Sequence, residues 1–198
     1  MSDLVNGEYR VVVDEEDYVE VFNLDDESPA SVIKSHPEYS TEISNEIENL
    51  NSGNKISATI KKTHLKQDNG FFDDTVWMFT DLTILDNTRT YHAFGDIPIV
   101  SVAEKLLNRL AKSEDADIAS VDITNNSGDN IGKIVTFDRD YEGLQSVFED
   151  ELDNLRQESS PPFEVYQTAT KQARYFIHYY IGETDSNLAN VLRANIEE

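Results

Sequence analysis

Alternation of apolar and polar positions dominates the first half of the chain. Glu8 to Asp14 and Tyr18 to Leu24 are short β-branched and aromatic runs separated by Glu15-Glu16-Asp17, the pattern of a hairpin. Ser28-Pro29 reads as a helix start with proline in the first turn, carrying Val32 and Ile33 and ended by His36-Pro37. Thr41 to Leu50 sets Ile43, Ile47 and Leu50 on one helical stripe ahead of Gly53. Lys55 to Leu65 alternates Ile56, Ala58 and Ile60 against Ser57 and Thr59, a strand with one face inward. Thr75 to Leu85 puts Val76, Met78, Leu82 and Ile84 on one face and Trp77, Phe79 and Leu85 on the other, so this strand is expected to be covered on both sides. A turn at Asp86-Asn87 leads into Thr88 to Phe94 and completes a meander of three strands.

The second half changes period more regularly. Ser101-x-x-Glu104 is a capping box opening a helix whose inner face holds Val102, Ala103, Leu106, Leu107 and Leu110. Asp117 to Thr124 and Ile131 to Phe137 are strands joined by the polar loop Asn125-Asn126-Ser127-Gly128-Asp129. Leu144, Val147, Phe148, Leu152 and Leu155 mark a helix with Asp138 or Asp140 near its start and Arg156 near its end. After Ser159-Ser160-Pro161-Pro162, Phe163 to Gln167 and Arg174 to Ile181 are strands, and Leu188, Val191 and Leu192 belong to a last helix capped by Thr184 or Asp185.

The expected class is therefore α+β. Residues 1–95 form a β-rich part suggesting a small OB-like barrel, which the two helices between residues 28 and 50 fit less well. Residues 96–198, with the strand at Thr88, follow the β-α-β-β-α-β order of a ferredoxin-like unit. That strand can join either half, so the two parts can also share one sheet as a single compact body.

Composition sharpens this picture. The chain has 198 residues, with 39 Asp and Glu against 16 Lys and Arg, a formal charge of −23. The 38% of apolar residues, with nine Phe, nine Tyr and one Trp, supplies a core and excludes wholesale disorder. Absence of cysteine excludes disulfides, thiolate metal sites and cysteine nucleophiles. No apolar stretch approaches the ~20 residues of a membrane span, and no secretory signal is visible, so a cytoplasmic location is the expectation.

The acidity is not a tail. Residues 1–99 hold 20 acids and 7 bases, and residues 100–198 hold 19 and 9. A uniform excess is a property of the whole surface: in molar salt the Debye length falls to about 3 Å, repulsion is screened, and hydrated carboxylates maintain solubility. The composition is similar to that of proteins from organisms that accumulate salt. The rival reading is a protein whose acidity imitates nucleic acid or attracts a basic partner.

Beyond composition, three stretches carry a likeness. Lys55 to Phe94 with its Thr-Arg-Thr-Tyr-x-Ala-Phe strand, Ile118 to Phe137 with its Asn-Asn-Ser-Gly-Asp turn, and Phe163 to the helix Asp185-Ser-Asn-Leu-Ala-Asn-Val-Leu-Arg193 together resemble a family of acidic haloarchaeal proteins of unknown function. The resemblance covers most of the chain and implies an organism class but no chemistry. This sequence departs from it in carrying more Asn, Lys and Ile.

Candidate chemistry is sparse. His36, His64, His92 and His178 stand singly, without metal-site spacing; His64 and His92 with Asp81 would converge on a metal only if their strands were neighbours. Gly128 to Lys133 is one residue short of a phosphate loop, and the segment from Asp122 places Lys133 where a calcium loop needs a carboxylate. No catalytic, cofactor or metal residue is assigned. Two segments stand out as binding candidates. Lys55, Lys61, Lys62 and Lys66, with His64 and upstream of Phe71, Phe72 and Trp77, form a basic strand beside aromatics suited to single-stranded nucleic acid, which the net charge disfavours. The same lysines also read as protection of an edge strand. Arg174, Phe176, His178 and Tyr180 share one face of the last strand and form a protein interface if that face is exposed; a central place in the sheet is the alternative. The resulting expectation is a non-enzymatic cytoplasmic binding or regulatory protein acting through contacts with an unknown protein partner. Nucleic-acid binding and metal-dependent hydrolysis are the alternatives.

Overall fold

Residues 4–66, 73–93, 101–113, 117–141, 143–160, 162–169 and 174–195 are described in the computed structural model. The chain divides after Thr88 into two units, Met1–Thr88 and Arg89–Glu198.

The first unit is a closed barrel. Its strands are β1 (Leu4–Asp14), β2 (Tyr18–Asn23), β3 (Pro29–Ile33), β4 (Lys55–Lys66) and β5 (Asp73–Asp86), ordered β1-β2-β3-β5-β4, with helix α1 (Thr41–Glu48) between β3 and β4. The β1–β2 hairpin forms as expected, with a bulge between Val11 and Val13. The helix expected at Ser28-Pro29 does not form; these residues enter β3, which runs antiparallel to β2 from Tyr18 opposite Ile33 to Phe22 opposite Pro29. Asn23 Oδ1 accepts the N–H groups of Asp25 at 2.8 Å and Asp26 at 3.3 Å, and Ser28 donates its N–H and hydroxyl to Asp26. The Ser28 side chain is thereby engaged in a turn instead of capping a helix, and Pro29, as first residue of a strand, has no N–H to leave unpaired. Helix α1 does form, with Ser40 accepting the Ile43 N–H and Ile47 buried in the barrel core.

Strand β5 corrects the alternation read from the sequence. Thr59 of β4 lies opposite Asp81 and Ile60 opposite Phe79, so Thr80 is an extra residue and the side-chain phase changes across it. Trp77 and Phe79 therefore join Leu82 and Ile84 in one core cluster, although a strict period of two separates them. Met78, on the other face, is also buried.

The second unit comprises β6 (Arg89–Ala93), α2 (Ser101–Leu110), β7 (Ile118–Thr124), β8 (Asn130–Asp138), α3 (Leu144–Glu158), β9 (Glu164–Ala169), β10 (Tyr175–Ile181) and α4 (Asn187–Ala194). Its sheet runs β6-β9-β10-β8-β7. Two expectations change here. The strand after Asp86 leaves the meander and pairs in parallel with β9, which moves the division between units ahead of it. The ferredoxin-like order does not form either: β6 lies at an edge, and β10 inserts between β8 and β9. The physical reason is β10 itself, Tyr-Phe-Ile-His-Tyr-Tyr-Ile, whose large side chains on both faces are satisfied only where both faces are covered. One face is covered by α2 and α4, through Ala103, Leu106, Ala189 and Leu192 against Tyr179 and Ile181. The other is covered by α3, through Phe148, Leu152 and Leu155 against Val135, Phe137 and Tyr180. The expected helix starts also shift. Gly143, not Asp138 or Asp140, precedes α3, and Ser186, accepting the Ala189 N–H, caps α4 in place of Thr184 or Asp185.

Candidate functional site

The lysine-bearing strand proves to be interior to the barrel. Strand β4 pairs with β1 from Lys55 to Lys61 and with β5 along its whole length, so over the first part it is no edge. Lys55 is half-buried and bridged to Glu8 at 2.7 Å, about 20 Å along the strand from Lys61 at ~3.3 Å per residue. Lys61 and Lys62 are exposed and, as successive residues, point to opposite faces. Lys62 lies directly opposite Trp77, and its Nζ sits over the indole ring 5.2 Å from the centroid. His64 and Lys66 continue β4 opposite Thr75 and Asp73; their side chains lie outside the described part, as do Phe71 and Phe72. The described arrangement thus brings one lysine onto the only tryptophan of the chain, and does not gather Lys55 with the rest.

The proposed interface on β10 is corrected by burial. His178 and Tyr180 are buried beneath α3, Phe176 is half-buried in the same cluster, and only Arg174 is exposed, its guanidinium 5.1 Å over the Tyr175 ring. This face packs the core and presents no continuous surface. His178 Nδ1 lies 3.2 Å from the Tyr180 hydroxyl, and its ring meets Phe137 edge-on at 4.8 Å. Burial, with a smaller contribution from His92, pushes His178 down to about 3, so the imidazole is neutral at physiological pH. Burial, reinforced by Glu151 and Glu149, pushes the Tyr180 phenol far up, so it stays protonated and available to donate.

The strands that carry His64 and His92 are not paired neighbours. His64 is on β4, paired with β1 and β5, and His92 is on β6, paired with β9. Among the described residues no group of three or more His, Asp or Glu is placed to hold a metal ion.

Three polar arrangements escaped the sequence reading. Tyr39 bridges the barrel seam, where β3 and β5 register only at Val32 opposite Trp77: its hydroxyl donates to Ile33 O at 2.5 Å and accepts the Phe79 N–H at 3.2 Å. Burial raises this phenol above its ordinary value, partly offset by the Phe79 N–H. Arg10, 2% exposed, donates to Gly53 O at 2.8 Å and stands 3.9 Å from Asp86, which accepts both the N–H and the hydroxyl of Thr88 at 2.7 Å. In the second unit Arg193 of α4 donates to both oxygens of Glu164 at 2.7 and 2.8 Å, and Tyr166 donates to the same carboxylate at 2.5 Å while stacking on Tyr91. None of these had a spacing to reveal it, because each joins residues that meet only after the strands register.

Two concavities accompany them. A groove of about 480 Å³ beside α1 has Tyr39, Ile47 and Leu50 in its lining and carries Lys34, paired with Asp14, and His36, whose Nδ1 accepts the Glu38 N–H at 3.2 Å. A second, of about 310 Å³ between β8 and α3, is crossed by Lys133 donating to both Glu151 oxygens at 2.7 and 2.9 Å. In each, the central lysine is neutralised by its own neighbour.

The described residues define a strand-rich α+β protein of two units, a closed five-stranded barrel and a mixed five-stranded sheet with helices on both faces. No described helix is long and apolar enough to cross a membrane. Over residues 1–197 the sequence matches the model described as Family of unknown function (DUF6663), and the chain belongs to that family. No curated protein and no solved structure matches it.

Proposed function

We propose that the first unit is an OB-type barrel and that the protein is a non-enzymatic binding protein gripping single-stranded nucleic acid at the β4–β5 hairpin. The observation that carries this reading is Lys62 over Trp77 on the hairpin of a barrel closed in the order β1-β2-β3-β5-β4. In barrels of this type the loop between the fourth and fifth strands contributes to oligonucleotide binding, and an aromatic face beside a cation is the unit that stacks a base and meets its phosphate. The interior place of β4 also weakens the edge-protection reading of Lys55 and Lys61.

Charge sets the terms. Residues 1–88 carry 19 acids and 6 bases, a net of −13, yet three of those six bases fall at 61, 62 and 66 with no acid between them. Acids elsewhere occupy separate elements, among them the β1–β2 turn, α1 and α3, which supports reading the excess as adaptation to concentrated salt rather than as one polyanion-mimicking stripe. Binding is therefore expected to be weak and local. With two phosphate contacts, log affinity for a single strand should fall with log salt at a slope of about −1.4, leaving a stacking component at high salt.

Fluorescence anisotropy of a labelled oligothymidine of about 15 nucleotides, titrated from low to molar salt, tests the reading. The expected result is binding with that shallow slope, quenching of Trp77, and at least a tenfold loss in Lys62→Glu/Lys66→Glu. Absence of binding at every salt concentration would overturn it. A role in docking another protein is less well supported, because the β10 face that would have served it is buried.

A further inference from the structure

We infer that β7 is a self-association edge, pairing antiparallel with β7 of a second copy of this chain about Val121. Strand β7 closes one side of the second unit's sheet and pairs, among the described residues, with β8 alone. An edge strand presents a row of backbone donors and acceptors that another strand can complete, and soluble proteins usually blunt it with lysine, proline or a short length. Strand β7 has none of these. It is seven residues long, Ile-Ala-Ser-Val-Asp-Ile-Thr, with one charge, and its residues alternate strictly between exposed and half-buried. The opposite edge, β6, has five residues and carries exposed Arg89 and His92.

Self-complementarity identifies a second copy as the occupant. Val121 is the midpoint of Ile118–Thr124, so a two-fold axis through it is the register that overlaps the whole strand. Val121 then faces its own copy and Ala119 faces Ile123, both on the face bearing α2 and α4; Ser120 faces Asp122 on the other. No acid meets an acid across the new ladder, whereas a shift to a centre at Asp122 would oppose two carboxylates. The net charge of −23 per copy resists approach in dilute buffer, and screening at molar salt removes that resistance. The pairing should accordingly strengthen with salt, the reverse of an association held by ion pairs.

Sedimentation velocity of the full chain over a concentration series, in low and in molar salt, reads this directly. A dimer that tightens with salt is expected. Exposed Ser120→Asp, which sets a new carboxylate against Asp122 of the second copy, should weaken the dimer about tenfold at the lowest salt at which the wild-type dimer is measured, and less in molar salt, where the pair is screened. Ser120→Asp/Asp122→Lys should restore it, because each introduced carboxylate then meets an introduced ammonium across the ladder. Ser127→Asp adds the same charge on the β7–β8 loop and should leave the dimer unchanged. Circular dichroism verifies folding, and should Ser120→Asp fail to fold, Ser120→Lys at that same lowest salt must tighten the dimer. A monomer under all conditions overturns the inference, as does a dimer equally indifferent to the Ser120 and Ser127 variants or a double variant that fails to restore it.

Discussion

Replacing Tyr39 by Phe isolates one hydroxyl that closes the barrel seam. Strands β3 and β5 register at a single pair, Val32 and Trp77, and next to it the Tyr39 hydroxyl takes the place of a ladder bond by joining Ile33 O to the Phe79 N–H. Phe keeps the ring in its packing against the barrel core and removes only the oxygen. Two hydrogen bonds at about 1 kcal/mol net each are lost, and because Phe79 is fully buried its N–H is left without water, a cost of roughly 1–3 kcal/mol on its own. The two figures overlap, so the expected destabilisation is about 2–4 kcal/mol, which at an m-value of about 1–2 kcal/mol/M moves the urea midpoint down by about 1–4 M. Trp77 is the only tryptophan and lies on β5 at this seam, so its fluorescence reports the first unit without contribution from the second. Melts belong in molar salt, where carboxylate repulsion is screened in wild type and variant alike. A Tyr39→Phe protein within about 0.5 kcal/mol of wild type would refute the claim that the hydroxyl completes the barrel.

Two further outcomes follow from buried charge and buried imidazole. Asp86→Ala removes a carboxylate beside the buried Arg10 and leaves the Thr88 N–H without its acceptor, and should cost about 3–5 kcal/mol by Trp77-monitored urea unfolding; Arg10→Met/Asp86→Ala should cost less than the single change, because the buried guanidinium is removed together with that carboxylate. His178 is held neutral down to about 3, whereas the unfolded chain takes up a proton near 6.5. Its contribution to stability is therefore fully present above 6.5 and is lost as pH falls from 6.5 toward 3, at about 1.4 kcal/mol per pH unit. Urea unfolding followed by far-ultraviolet circular dichroism in molar salt should show a steeper acid loss in wild type than in His178→Gln, and parallel slopes would contradict a buried neutral imidazole.

Element positions were legible because most runs have an unambiguous period. The strands at Lys55 and Ile131 and the helices at Thr41 and Leu144 lie where their apolar spacing puts them. The failures have local causes. Pro29 suits the first residue of a strand as well as of a helix, and the deciding turn at Asn23 and Asp26 consists of side-chain to backbone bonds that no hydropathy period records. Thr80 shifted the phase of β5, so half of its inner face was assigned outward. Strand order in the second unit was hidden because β10 comes last in the chain yet occupies the middle of the sheet, and insertion of a late strand leaves no mark on the order of elements. Its two-sided apolarity did foretell a central position, and the same fact removed the surface that Phe176, His178 and Tyr180 were to form. The basic segment was visible as composition, but the meeting of Lys62 with Trp77 required the register of β4 on β5.

Lysine placement and bare edge bear on each other. Edge protection does not account for Lys55 and Lys61, because β4 is flanked there by both β1 and β5; among the described residues Lys62 and Lys66 fall on the stretch of β4 paired with β5 alone, whereas β7, paired among the described residues with β8 alone, has no lysine. Lysine protection is therefore available to the far end of β4 and is lacking on β7. For β7 a different safeguard is available, since 23 net negative charges keep copies apart wherever they are unscreened. That safeguard is nonspecific and fails first in concentrated salt, where only the pattern along the strand decides whether pairing closes as a dimer or continues. A two-fold ladder about Val121 uses the open edge of both copies and leaves none on that side of either sheet, so association stops at two. Among the β4 lysines, Lys62 is set apart by what it sits beside, the face of the Trp77 indole.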